Sequence, residues 1–156
     1  MRNTGHSYAT ATVDKPAMRF HEPKHVPSTP QERRAALKSL DPFVRSALIR
    51  RNLDVSWPLA TPHMRVGVSH SEWLAGTLPV APYTGAFRTA RYQLRYSYRD
   101  ALGFGVLLIP RTVRDDEGAY LCEVQRLRDR WLVDFCYSEA TPTGRYANVT
   151  NTGLAP

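Results

Sequence analysis

The stretch that decides the fold is Ala119-Tyr120-Leu121-Cys122-Glu123-Val124-Gln125-Arg126-Leu127, followed after Arg128-Asp129 by Arg130-Trp131-Leu132-Val133-Asp134-Phe135-Cys136-Tyr137. Two runs rich in β-branched and aromatic residues, separated by two polar ones, read as a β-hairpin. With Arg128-Asp129 as a two-residue loop, Leu127 pairs with Arg130. Cys122 then opposes Phe135, Val124 opposes Val133 and Tyr120 opposes Tyr137, all on one apolar face with Trp131. Cys136 points the other way, beside Leu132 and Asp134, so this register predicts two free thiols. A three-residue loop sets Cys122 across from Cys136 but places Val124 against Asp134, which apolar pairing disfavours. Neither cysteine has the CxxC spacing of a metal or redox site, and two are too few for a disulfide framework.

Upstream, Ala90, Tyr92, Leu94, Tyr96 and Tyr98 alternate with Arg91, Gln93, Arg95, Ser97 and Arg99, the pattern of a long half-buried strand. Asp100 to Gly103 reads as a turn. Phe104 to Ile109 is a continuous apolar run ending at Pro110, a strand covered on both faces or central in a sheet. The polar loop Arg114-Asp115-Asp116-Glu117-Gly118 then leads into the hairpin, giving four antiparallel strands in a meander.

The first half is helical. Thr29-Pro30-Gln31-Glu32 carries a capping residue, a proline suited to the first helical position and a glutamate placed to close a capping box. Ala36, Leu37 and Leu40 continue this helix, and Asp41-Pro42 supplies a second start. From there Phe43, Val44, Ala47 and Leu48 form an apolar stripe with Arg45, Arg50 and Arg51 on a solvated face. Trp57-Pro58 and Thr61-Pro62 allow only short turns. Ser69-His70-Ser71-Glu72 is another capping box, opening a short helix through Trp73 that ends near Gly76. Helices first and strands last make the class α+β.

Phe43 and Trp57 on short helices, Trp73 on a further one, and a meander ending in Trp131-Leu132-Val133-Asp134 resemble the NTF2-like (cystatin-like) superfamily. More narrowly, Phe43-Val44-Arg45, Arg51-Asn52-Leu53, Ser56-Trp57, Met64-Arg65-Val66-Gly67 and the run from Glu72 to Tyr83 resemble uncharacterised actinobacterial proteins. In these an NTF2-like domain follows a membrane anchor and faces the outside of the cell. The resemblance covers about residues 30 to 140 and implies a cone of helices on a curved sheet. It leaves function open, because such cones host isomerases, dehydratases, epoxide hydrolases and binding scaffolds alike.

With 156 residues the chain has the size of one domain, and its 42% hydrophobic and 22% charged residues fit a folded one. Residues 1–28 read as an extended or disordered arm, 29–140 as the domain and 141–156 as a flexible tail. Pro23 between His21 and His25 opposes a helical metal pair. Asn148-Val149-Thr150 matches a glycosylation triplet and reads as chance. No signal-peptide pattern or run of some 18 apolar residues occurs. The expected location is therefore the cytoplasm, or the extracytoplasmic side if an anchor precedes this sequence in a longer protein.

The net charge is +7, and only Lys15, Lys24 and Lys38 are lysines, so the excess is almost all arginine, suited to bidentate pairing and stacking. Arg91, Arg95 and Arg99 form a row on one strand face, and Arg126, Arg128 and Arg130 cluster at the closing turn. Such a surface meets an acidic protein, a phosphate backbone or an anionic membrane. Aromatic residues do not interleave with these arginines in the alternation, which favours protein over nucleic acid. The NTF2-like resemblance also implies a homodimer through the sheet, with the row paired to carboxylates of a second copy.

Catalysis requires an acid or base in a pocket facing a donor. Tyr92, Tyr96, Tyr98, Trp57, Trp73 and His63 are the candidates for a small-molecule pocket, with His63 and His70 flanking its mouth, unless Trp57, Trp73 and Phe104 plug the cone. Asp134 reads as a surface partner for an arginine, and neither His63 nor His70 has a carboxylate nearby in sequence to orient it. No HxxEH, GxSxG, P-loop or GxGxxG pattern is present, so no cofactor or metal is expected. The sequence thus points to a non-catalytic binding or assembly domain, with a tyrosine-lined isomerase, dehydratase or epoxide-hydrolase site as the alternative.

Overall fold

A computed structural model describes residues 24–139. The readings made for residues 1–23 and 140–156, including the metal pair with His21 and the Asn148 triplet, lie outside the described residues. Within them three helices precede four strands: α1 (Pro30–Phe43), α2 (Leu53–Ser56), α3 (His70–Leu74), β1 (Phe87–Tyr98), β2 (Ala101–Pro110), β3 (Gly118–Leu127) and β4 (Arg130–Ser138). The strands form one antiparallel sheet in the order β1-β2-β3-β4, so the class is α+β.

Both capping boxes form. Thr29 Oγ1 accepts from the Glu32 N–H while Glu32 returns a carboxylate oxygen to the Thr29 N–H, and Ser69 and Glu72 do the same at α3. Asp41-Pro42 does not start a new helix: α1 runs through Pro42 and continues as a π-helical turn, Val44–Leu48. Pro42 has no N–H to donate, and just beyond it the hydrogen-bonding widens, the Arg51 N–H reaching the Ser46 carbonyl five residues back. The apolar stripe is as expected, with Phe43, Val44, Ala47 and Leu48 all fully buried. Arg50, however, leaves the solvated face. Its guanidinium donates to the carbonyls of Ala47 and Val80, and burial lowers its pKa.

The helices cover one face of the sheet. Phe43, Trp73, Phe104, Leu102, Val124 and Val133 fill the space between them, and the Trp73 indole N–H donates to the buried Ser56 hydroxyl at 3.0 Å. The first turn of the meander is tighter than expected: Tyr98 pairs with Ala101, so only Arg99 and Asp100 bend and β2 already includes Leu102 and Gly103. The β3–β4 turn is the expected two-residue loop, with Arg128 and Asp129 at φ +48° and +64°, the mirror-image turn that matches strand twist.

Two irregularities in register redirect side chains. In β1, Leu94 pairs with Phe104 and Tyr96 with Gly103, leaving Arg95 as an extra residue. The alternation therefore inverts: Ala90, Tyr92 and Leu94 pack toward the core, whereas Tyr96 and Tyr98 turn to the outer face and Ser97 becomes buried. In β4, Val124 pairs with Val133 but Glu123 with Phe135, so Asp134 is extra. Past that bulge Phe135 and Tyr137 lie outside, their rings stacked with centroids 4.6 Å apart. Cys136 takes the inward position opposite Cys122, and the two form a buried disulfide. The expectation of free thiols is thus overturned. The register is the apolar-paired one near the turn and the cysteine-paired one beyond Asp134.

Candidate functional site

At the hairpin end of the sheet a groove of about 650 Å³ is lined by Pro58, Pro62, Leu127 and Leu132 and by Arg65, Arg126, Arg128 and Arg130. Its apolar floor joins β4 to the segment after α2, which is pinned there by the Thr61 N–H on the Val133 carbonyl at 2.9 Å. This pairing places Pro62 and Arg65 beside Leu132. Two of the guanidiniums are stacked: Arg65 over the Trp57 ring at 4.8 Å and Arg126 over Trp131 at 5.6 Å. Arg126 is also held by Asp100 at 3.1 Å and Glu32 at 3.7 Å. Arg128 and Arg130 are exposed, and their side chains form no ion pair or hydrogen bond with another described residue. Stacked guanidiniums beside unpaired ones, around a floor without charge, suit a ligand carrying carboxylates on an apolar stem.

The structure brings Arg126, Arg128 and Arg130 to one groove, and adds Arg65 from 61 positions upstream. The only signal for Arg65 in the sequence is its place just after Thr61-Pro62. The row Arg91, Arg95 and Arg99 is not assembled as a row. Arg91 is exposed on the outer face, while Arg95, at the bulge, lies over Gly105 with Glu139 at 3.6 Å. Arg99 sits in the β1–β2 turn.

The candidate pocket residues are dispersed. Tyr92, on the core-facing side, donates to Asp41 at 2.6 Å, and burial followed by that bond raises its pKa well above the ordinary tyrosine range. Trp73 is core and Trp57 is half-buried, edge-on to Trp73 at 5.4 Å. Tyr96 and Tyr98 share the outer face, where Tyr96 lies flat on Gly103 and donates to Glu123 at 2.5 Å. Burial and the same carboxylate raise its pKa as well. The expectation that aromatic and arginine side chains stay on separate faces therefore fails, because the bulge moves these rings beside Arg95.

Asp134 is corrected too. It is 7% exposed and pairs with no arginine among the described residues. Its carboxylate accepts from Thr61 Oγ1 at 2.6 Å and from Gln125 Nε2 at 3.2 Å, and His63 Nδ1 lies 3.2 Å away. His63 is thus oriented by a carboxylate 71 positions downstream, a relationship that only the bulge creates. Gln125 also donates to Glu123, which links Tyr96, Glu123, Gln125 and Asp134 into one outer-face network. Its carboxylates are satisfied by neutral donors, which marks it as a structural network first.

No protein-family model matches the chain, and neither a curated protein nor a solved structure shows significant similarity to it.

Proposed function

We propose that the chain is a non-catalytic binding domain of NTF2-like type whose arginine-rimmed groove takes an acidic segment of a protein partner. The observation that carries this is the convergence of Arg65, Arg126, Arg128 and Arg130 around the floor of Pro58, Pro62, Leu127 and Leu132. A protein segment is favoured over nucleic acid because Trp57 and Trp131, the indoles beside the groove, are already covered by Arg65 and Arg126, leaving those faces to guanidinium instead of bases. The order of helices before a four-strand meander supports the NTF2-like assignment. The Cys122–Cys136 disulfide supports an oxidising, extracytoplasmic compartment, where such bonds persist.

Against the enzyme alternative, Tyr96 and Tyr98 face away from the interior that Trp73 and Phe104 fill. His63 and Asp134 form a pair with the parts of a general base, but the His63 side chain is 80% exposed, where water competes for any proton it moves.

The test is fluorescence anisotropy with a labelled peptide of alternating glutamate and leucine, against the full chain and Arg128→Asn/Arg130→Gln. Asparagine is chosen because it tolerates the left-handed backbone at Arg128. The expected loss is roughly tenfold or more in affinity, together with steep weakening as salt rises. Equal affinity of the two proteins for the peptide overturns the proposal.

A further inference from the structure

The groove and a cleft at the other end of the sheet have linings of opposite charge. At the end away from the groove, a cleft of about 450 Å³ is lined by Tyr83, Asp115, Asp116, Glu117 and Glu139, with Arg114 as the lone cation among its lining residues. Strand β3 runs from one to the other, Gly118 lining the cleft and Leu127 the groove. Ten residues of strand put the two sites about 30 Å apart. Asp115, Asp116 and Glu117 are exposed, and none forms an ion pair with another described residue. Their field is felt by the Tyr83 phenol, whose pKa is raised first by burial and then by all three carboxylates. The Tyr83 hydroxyl ties this loop down by donating to the Asp116 carbonyl at 2.9 Å, so the carboxylates are presented from a fixed backbone.

We infer that the occupant of the groove is the acidic end of a second copy of this chain, so that copies join head to tail; this rests on the reading of the groove as a site for acidic protein. The chain's own termini do not suit it, since residues 1–23 carry three cations and two carboxylates and residues 140–156 a single arginine. The β2–β3 loop has the matching chemistry: Val113, fully exposed, stands two residues before the acidic run, an apolar side chain for the proline and leucine floor beside carboxylates for the arginines. The two surfaces differ and lie at opposite ends, so the contact is heterologous and each junction leaves a free groove and a free cleft. A line of copies joined in this way can grow past the dimer, ending only where the rotation between successive copies closes it into a ring. Exposed, screened charge pairs make each junction weak and salt-sensitive.

Sedimentation of the full chain over a range of concentrations tests this. At low salt the average mass is expected to rise with concentration beyond that of a dimer, and to fall to the monomer at high salt. Arg128→Asn/Arg130→Gln and Asp115→Asn/Asp116→Asn each remain monomeric alone. Mixed, they form a one-to-one dimer that grows no further, because one supplies the only intact cleft and the other the only intact groove. All four substitutions are at exposed positions, and matching thermal melts confirm that the variants fold. A wild type that stays monomeric at low salt, or one whose association both variants leave intact, overturns the inference. If the wild type is monomeric yet the acidic peptide still binds through Arg128 and Arg130, self-assembly alone fails. If the peptide does not bind either, the groove reading fails with it.

Discussion

Cys122 and Cys136 stand directly opposite one another, Cα atoms 4.1 Å apart, because one residue of β4, Asp134, is left over between Val133 and Phe135. The bulge does two things at once. It brings the second sulfur into the core and turns a carboxylate toward Thr61, His63 and Gln125.

The disulfide closes a loop with a sequence separation of 14. By the chain-entropy argument this restricts the unfolded state by about 3 kcal/mol. Cys122→Ala/Cys136→Ala is therefore expected to lower the unfolding free energy by roughly 2–4 kcal/mol in urea titration. A double variant as stable as the wild type contradicts the placement of the bond.

Asp134→Ala removes the acceptor shared by Thr61, Gln125 and His63, leaving the buried Thr61 hydroxyl without it. The expected cost is about 1–3 kcal/mol. His63→Ala, at an exposed side chain, should stay within about 0.5 kcal/mol of wild type. Equal losses in both show that the imidazole, not the threonine and glutamine donors, dominates the network.

A Cβ on Gly103 meets the Tyr96 ring at 2.2 Å, so glycine there is what allows that ring to lie flat across β2 toward Glu123. Gly103→Ala forces the ring off the sheet, at an expected cost of roughly 1–3 kcal/mol. Adding Tyr96→Ala should make the glycine substitution nearly neutral in a double-mutant cycle. Additive losses argue against the contact.

Tyr92 and Tyr96 bind their phenolic protons more tightly in the folded chain than an unfolded one does. Stability from these groups is therefore complete below the ordinary tyrosine pKa of about 10 and is lost as pH rises above it. Phenolate absorbance should show both deprotonating only as the chain unfolds. In Tyr92→Phe/Tyr96→Phe the late, unfolding-coupled step should shrink. Normal titration of all tyrosines near pH 10 in the folded wild type contradicts the buried hydrogen bonds.

Much of the scaffold is legible in local sequence. Thr29 and Glu32, Ser69 and Glu72, and the Arg128-Asp129 turn announce themselves because caps and two-residue turns depend on neighbours within a few positions. The bulges are not legible, because the side-chain period of two gives no warning of one extra residue. A single insertion at Arg95 moved Tyr96 and Tyr98 to the outer face, and one at Asp134 exchanged Phe135 for Cys136 in the core. The apolar rule for register was right up to Val133 and failed beyond it, where a disulfide outweighed the burial of Phe135 and Tyr137. At the groove, three arginines were visible as a cluster around the turn, while Arg65 and the proline floor depended on a tertiary pairing, Ala60 with Val133, between distant segments.

The groove is tested most directly by mapping backbone amide shifts in the labelled full chain as the acidic peptide is added. Progressive shifts are expected, confined to the groove at Arg65, Arg126 to Arg130 and Leu132, and vanishing at high salt and in Arg128→Asn/Arg130→Gln. Shifts centred instead on the outer face around Tyr96 and Phe135, or no shifts at low salt, contradict the groove as the binding site.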